Sequence, residues 1–201
     1  MEQEVLIVRK RGVKRWRLSV DRDGKAVFTA PLSTPQKAID DALKKHKNWI
    51  AKHAARRLKA IENARKLYKD CEGLIPLLGE WIAPPSGDLN GFYRKEALAF
   101  FSKECDRLAA VLGVCFNKIR IADQISRYGS CSVKKTLSFN WRIVKAPFFV
   151  AKYIAAHEVA HLKYMNHKRD FWNCVATIAP DFLEAEKWLK ENGDFLRFDI
   201  C

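Results

Sequence analysis

Three histidines at fixed spacings constrain this chain more than any other feature of its sequence. His157 and His161 lie four positions apart in the run H-E-V-A-H. On an α-helix, residues at this spacing lie one above the other on one face, so both imidazoles can bind the same metal ion. Glu158 projects about 100° around the helix, where it reaches a water at the metal without being a ligand. The H-E-x-x-H pattern is typical of zinc hydrolases.

His167 supplies a third ligand only if the helix ends before it, because six more helical residues would rotate it by about 240°. We predict that Asn166 takes the left-handed conformation that ends helices and so returns His167 to the metal. Three imidazoles leave one tetrahedral position open for water, as in catalytic zinc sites. The sequence therefore predicts one Zn²⁺ per chain, bound by His157, His161 and His167, with Glu158 as the catalytic base. Ordinary core histidines are the alternative, but the apolar run over residues 148–156 predicts a central helix whose buried histidines need a partner.

Composition indicates a folded protein that works in the cytoplasm. Hydrophobic residues make up 48% of the 201 positions, and 11% are aromatic. No apolar run approaches the roughly 20 residues that cross a bilayer, so we expect no membrane contact. The six cysteines have no C-x-x-C spacing, which favours buried reduced thiols over disulfides or a second zinc site.

Positive charge is concentrated in the amino-terminal part of the chain. The net charge is +14, and residues 1–75 hold 19 Lys and Arg against 9 Asp and Glu. Within this part, a basic stripe over residues 44–59 contains K-K-H-K and R-R-L-K. Such a stripe can follow the phosphates of a nucleic acid, although a simply solvated surface is the alternative.

Hydrophobic periodicity and turn residues outline the elements. Residues 5–30 alternate apolar and polar side chains in three segments, which predicts three short antiparallel strands, followed by a basic helix toward Tyr68. Turn residues after position 75 mark the boundary between an amino-terminal region, 1–75, and a catalytic region, 76–201, unless both form one continuous domain. The second region is predicted to contain a helix over residues 92–112, strands over 118–122 and 136–142, and further helices beyond His167.

The motifs together resemble a known family. They are Arg127 to Ser132 (R-Y-G-S-C-S), N-W-R at Asn140, A-P before the active-site helix, the H-E-x-x-H histidines with His167, and F-W at Phe171. This combination resembles the YgjP-like metallopeptidases, relatives of the SprT-like and WLM zincins. The resemblance implies an α+β fold: a zincin-like core whose central HExxH helix packs on a small antiparallel or mixed sheet, with an amino-terminal strand and helix region. Lys135 departs from the family at a turn position where glycine is common.

These features predict a zinc metalloprotease that cleaves peptides or proteins through a zinc-activated water. Arg127, Asn140 and Tyr164 are polar candidates for binding the substrate or stabilising the oxyanion. The strand over residues 136–142 is a candidate to accept an extended peptide by edge pairing.

A metzincin lacks support because Tyr164 replaces the required glycine, and His167 makes Glu184 or Glu186 unnecessary as a third ligand. The alternatives are a nucleic-acid-binding protein with incidental zinc, or a protease acting on DNA-associated proteins.

Overall fold

A computed structural model describes residues 4–21, 23–69, 73–124, 127–193 and 195–197 of the chain. These residues form two compact units, the first built mainly from residues 1–70 and the second mainly from residues 71–196. Within the described residues the chain combines six α-helices, two short 3-10 helices and three small sheets, so the predicted α+β class is confirmed.

The first unit contains a three-stranded mixed sheet. Its strands are β1 (Val5–Lys10), β2 (Arg17–Val20) and β3 (Ala26–Pro31), in the order β1-β3-β2. β2 and β3 form the expected antiparallel hairpin, but β1 pairs with β3 in parallel, so the prediction of three antiparallel strands is wrong. The reason is that β3 occupies the centre of the sheet, and the chain between β1 and β2 crosses over to β3's other side.

Two helices complete the first unit. They are α1 (Gln36–Lys45) and α2 (Lys47–Lys69), separated at His46. Phe28, Ala30 and Ile39 form the buried centre, on which Val5 and Leu18 also pack. In the basic stripe, the side chains of Lys44, Lys45, Lys47, Lys52, Arg56 and Lys59 are exposed, whereas Arg57 is buried.

The second unit opens with β4 (Ile75–Leu77), β5 (Glu80–Ile82) and the long helix α3 (Leu89–Leu112). Gly113 ends α3 in the left-handed conformation, with φ 63°. A second mixed sheet then contains β6 (Lys118–Ala122), β7 (Gly129–Cys131) and β8 (Thr136–Asn140), in the order β6-β8-β7. β8 pairs on both sides, so the expectation that this strand accepts a substrate along a free edge is wrong.

A tight turn connects β7 to β8. The backbone N–H of Lys135 donates to the carbonyl of Ser132 across 2.8 Å, and Lys135 itself has φ 55°. A left-handed backbone strains any residue that has a Cβ, so glycine would occupy this position with less strain than Lys135 does.

Three helices follow the second sheet: α4 (Phe148–Ala160), α5 (Arg169–Ile178) and α6 (Phe182–Asn192). α4 packs against α3, α5, α6 and β7, and nine of its thirteen residues are buried. It is therefore the central helix that the apolar sequence over residues 148–156 predicts.

Two smaller findings concern the rest of the chain. No helix among the described residues is both long and apolar enough to cross a membrane. Four cysteines within the described part, namely Cys105, Cys115, Cys131 and Cys174, carry free thiols. Only Cys105 of these is buried, so the expectation of buried thiols is wrong for exposed Cys115.

Candidate metal centre

The two histidines of the H-E-x-x-H run lie at the carboxyl end of α4. His157 belongs to the last turn, and His161 is the residue that follows the helix, still with helical φ −65° and ψ −18°. Their ring centroids are 4.9 Å apart. The four-residue spacing therefore places both imidazoles on one side of α4.

The helix ends earlier than expected and by a different device. α4 stops at Ala160, whose carbonyl accepts backbone N–H groups from Lys163 and Tyr164 in the following turns, each across 3.0 Å. Among the described non-glycine residues, positive φ occurs at Leu78 and Lys135, so the prediction of a left-handed Asn166 is wrong. Asn166 instead accepts the backbone N–H of Lys168 on its side-chain oxygen, across 3.1 Å. This contact shapes the turn before α5.

The turn returns His167 to the other two histidines. Its Nε2 lies 3.1 Å from Nε2 of His157, and its ring centroid lies 4.7 Å from that of His161. One ligand nitrogen from each histidine can be chosen so that all three lie within 4.8 Å of one another. The structure thus brings together the three predicted ligands, although His167 is ten residues away from His157 in sequence.

The geometry fits a zinc ion. Two nitrogens bound to one tetrahedral zinc at about 2.0–2.1 Å lie roughly 3.3 Å apart, which is close to the 3.1 Å between Nε2 of His157 and Nε2 of His167. Burial, with smaller contributions from His161 and His167, lowers the pKa of His157 to about 4. This imidazole is therefore neutral near pH 7 and offers the lone pair that a metal needs.

A single phenylalanine supports all three rings. Phe171, on the first turn of α5, is fully buried, and its ring centroid lies 4.9, 4.5 and 4.7 Å from those of His157, His161 and His167. Trp172 packs beside Phe171, and its ring centroid lies 5.9 Å from that of His157. α5 therefore packs the ligand-bearing turn against the core.

Glu158 lies beside the histidines and is almost completely buried. Its side chain is 5% exposed, and burial raises its pKa to about 8, with Arg127 acting in the opposite direction. Its Oε2 has no hydrogen-bond partner among the described residues. A buried carboxylate oxygen without a partner is energetically unfavourable, which is a common feature of functional sites.

Gly129 makes room for this carboxylate. A Cβ at Gly129, the first residue of β7, would lie 2.6 Å from Oε1 of Glu158 and 2.7 Å from its Cγ. No real Cβ atom approaches this closely, so only glycine fits here without a shift. Gly129 is a functional residue that sequence reasoning missed, and its place in the R-Y-G-S-C-S run was the one signal that pointed to it.

The three candidate substrate-binding residues have different positions. Arg127 is exposed and lines a cavity together with His157 and Glu158. Asn140 is buried, and both ends of its amide contact main chain: Nδ2 donates to the Gln124 carbonyl and Oδ1 accepts from the Arg142 N–H. Tyr164 contacts the site through its backbone carbonyl, 2.9 Å from Nδ1 of His161. The geometry thus brings only Arg127 of these side chains to the cavity.

The cavity has a volume of about 520 Å³ and opens beside Glu158. Its walls come from the loop before β7, from α4 and from α6; they are Arg127, Tyr128, Gly129, Tyr153, Ile154, His157, Glu158, Glu186, Leu189 and Lys190. Glu186 reaches this wall but contacts Tyr153, 3.0 Å from its hydroxyl, and is outside the histidine cluster. A volume of this size accommodates several substrate atoms next to the carboxylate.

Comparison with protein families identifies the chain. The family described as YgjP-like, metallopeptidase domain, matches residues 14–83 and 86–192. The chain belongs to this family. Membership makes this YgjP-like protein a zinc metalloprotease and hence a hydrolase of peptide or protein substrates.

Two solved structures are similar to this YgjP-like chain. The metallopeptidase zymogen of Pyrococcus abyssi abylysin has 21% identity and a TM-score of 0.41, covering 45% of this chain and 93% of that one. The zymogen of Methanocaldococcus jannaschii jannalysin has 24% identity and a TM-score of 0.39, covering 45% of this chain and 95% of that one. No curated protein matches the chain.

Proposed function

We propose that this metallopeptidase hydrolyses peptide bonds at one zinc ion bound by His157, His161 and His167, with Glu158 as general base. The observation that carries the proposal is the placement of a buried carboxylate beside three imidazole nitrogens that lie within 4.8 Å of one another. A purely structural metal site has no use for a neighbouring carboxylate that is not a ligand.

The donor set favours zinc. Three imidazoles with one open position form the ligand set of catalytic zinc, whereas calcium and magnesium prefer oxygen ligands. When bound, zinc lowers the pKa of a water molecule to about 7 and polarises the carbonyl of the substrate.

Glu158 has the environment of a proton carrier. Burial raises the pKa of Glu158 in the metal-free chain above its ordinary value, which makes this carboxylate a stronger proton acceptor than an exposed one. In the proposed reaction it takes a proton from the attacking water and passes it to the amine that leaves.

An extended peptide is the proposed form of the substrate. β7 pairs with β8 on one side only, and among the described residues no strand covers its other edge. An edge strand offers main-chain hydrogen bonds to a peptide without demanding a particular sequence. Since Gly129 at the start of β7 lies against Glu158, this edge leads to the base, in keeping with a zincin-like arrangement. Arg127 is the candidate contact on the cavity side.

We also propose that the protein works in the cytoplasm, in keeping with the free thiols of the described cysteines. No observation favours a nucleic-acid-binding protein with incidental zinc. A protease acting on DNA-associated proteins would contact DNA through the exposed cations of the basic stripe.

Glu158→Gln tests the proposed chemistry. Glutamine is nearly isosteric and removes no proposed ligand, so zinc content should stay at about one per chain and the melting temperature should not fall. Peptide hydrolysis should drop by about 10²–10⁴-fold, because an amide cannot accept the proton. Asp41→Asn, the same chemical change at an exposed position on α1, should leave all three quantities unchanged.

Two results would contradict the proposal. A Glu158→Gln variant that hydrolyses peptides at the parental rate would remove Glu158 from the mechanism. A variant that loses zinc would mean that the carboxylate binds or orients the metal, and another group would then have to be the base.

A further inference from the structure

The hydroxyl of Tyr153 lies between a proposed zinc ligand and a carboxylate. Tyr153 precedes His157 by one turn of α4, and its hydroxyl is 3.4 Å from Nδ1 of His157 and 3.0 Å from Oε1 of Glu186. The side chain of Tyr153 is buried, with 5% exposure. Glu186 comes from α6, a different helix, so the contact joins two elements at the metal centre.

The direction of these hydrogen bonds follows from the number of protons available. A carboxylate only accepts, so the single proton of the Tyr153 hydroxyl is donated to Oε1 of Glu186. The hydroxyl oxygen is then left as an acceptor, and Nδ1 of His157 must carry the proton that it receives. This tautomer leaves Nε2 of His157 unprotonated, and Nε2 is the atom that lies 3.1 Å from Nε2 of His167.

The second histidine is held differently. Nδ1 of His161 lies 2.9 Å from the backbone carbonyl oxygen of Tyr164. A carbonyl oxygen can only accept a hydrogen bond, so Nδ1 of His161 carries the proton. The tautomer of His161 is therefore set by the main chain of the turn that follows α4. The tautomer of His157 instead depends on the side chains of Tyr153 and Glu186, which can be changed by mutation.

We propose that Tyr153 and Glu186 are positioning residues that hold His157 in the metal-binding tautomer, through the chain His157 Nδ1–H to Tyr153 hydroxyl to Glu186 Oε1. The proposal rests on the proposed function, in which His157 is a zinc ligand. It assigns Glu186 an indirect role, two hydrogen bonds away from the metal. Outer partners of this kind orient the ring and make the ligand nitrogen more basic, and their loss weakens metal binding roughly 10- to 100-fold.

The test compares zinc affinity and the tautomer of His157 in the 201-residue chain and its variants. Tyr153→Phe keeps the aromatic ring and removes only the hydroxyl. Glu186→Gln keeps the shape but allows the amide to donate to the hydroxyl. Glu191→Gln is the matched control, because Glu191 is an exposed carboxylate on the same helix. Zinc affinity is measured by competition with a chromophoric chelator, and the protonated ring nitrogen of His157 is identified by ¹⁵N NMR of the metal-free protein.

Tyr153→Phe should weaken zinc binding by roughly 10- to 100-fold and reduce the population with a proton on Nδ1 of His157. Glu186→Gln should move both readouts in the same direction by a smaller amount, and Glu191→Gln should move neither. Because Glu186 acts through the hydroxyl, the double variant should bind zinc no more weakly than Tyr153→Phe alone. If Tyr153→Phe does not fold, Glu186→Gln at its exposed position provides both readouts.

Parental zinc affinity and tautomer in both single variants would overturn the proposal. So would independent losses that multiply in the double variant, because they would mean that Glu186 affects zinc binding by a route other than the Tyr153 hydroxyl. His157→Ala separates this failure from failure of the proposed function. If His157→Ala binds zinc like the parent, the metal site is wrong; if it loses zinc while Tyr153→Phe does not, only the positioning role is wrong.

Discussion

The two three-stranded sheets have the same topology but different chemistry. In each sheet the first strand pairs in parallel with the third, and the second pairs antiparallel with the third. The second strand begins with Arg17 in the first unit and with Gly129 in the second, and each pairs with the fourth residue of the central strand. Arg17 is exposed, whereas Gly129 lies against a buried carboxylate. Only in the second sheet does the absence of a side chain, at Gly129, let Glu158 of α4 lie against the strand. Two sheets of one topology therefore differ in chemistry, and topology alone does not determine function.

The largest difference between the two units should appear when histidines are removed. His157→Ala, His161→Ala and His167→Ala are each expected to weaken zinc binding by more than the roughly 10- to 100-fold typical of an outer contact, because each removes a proposed ligand. His46→Ala and His53→Ala, in the first unit, should leave zinc affinity unchanged. Competition titration and metal analysis of purified protein provide the measurement. Loss of zinc in either control would break the comparison, because the metal site would then include the first unit.

A smaller difference is expected at the start of the second strand of each sheet. Gly129→Ala should lower the free energy of unfolding by about 1–3 kcal/mol, since its Cβ would lie 2.6 Å from Oε1 of Glu158. Arg17→Ala, at the equivalent exposed position, should change it by less than about 0.5 kcal/mol. Urea denaturation of the metal-free proteins measures both values.

A double-mutant cycle then sharpens the assignment at Gly129. In a Glu158→Ala background the atoms that meet the new Cβ are absent, so most of the destabilisation by Gly129→Ala should disappear. If Gly129→Ala destabilises the Glu158→Ala variant as much as the parent, the destabilisation does not come from contact with Glu158.

The smallest expected effect concerns charge. If the exposed cations of the basic stripe contact phosphates, the chain should bind DNA weakly, and binding should fall steeply with added salt. Replacing Lys44, Lys45 and Lys47 together with glutamine should reduce the slope of log K against log salt by about 0.9 per lost phosphate contact. The same replacement at exposed Lys103, Lys118 and Lys134 of the second unit is the control and should leave the slope unchanged. No binding at low ionic strength would mean that the stripe serves solvation only.

Local pattern was sufficient to predict the elements that depend on neighbouring residues. The central position of α4 follows from its apolar sequence, and the end of α3 follows from Gly113. The four-residue spacing placed the rings of His157 and His161 side by side, because helix geometry fixes that relation.

Contacts between distant segments were the part that the sequence did not reveal. The parallel pairing of β1 with β3 and the central place of β8 depend on which strands meet, and hydrophobic alternation is the same for either direction. The end of α4 at Ala160 depends on turn hydrogen bonds rather than on the helix-ending tendency of Asn166. The approach of Gly129 to Glu158 joins residues of a strand and a later helix, so only the folded chain brings it to light.

The position of Phe171 has a consequence for how the enzyme gains and loses its metal. One fully buried ring touches all three histidines, so core packing by itself maintains their mutual arrangement. A preorganised site loses little conformational entropy when it captures its ligand. In zinc fingers, by contrast, the metal and the fold form together. We therefore expect this chain to fold without its metal, so that a chelator yields a compact, inactive protein that regains activity when zinc is restored, without a refolding step.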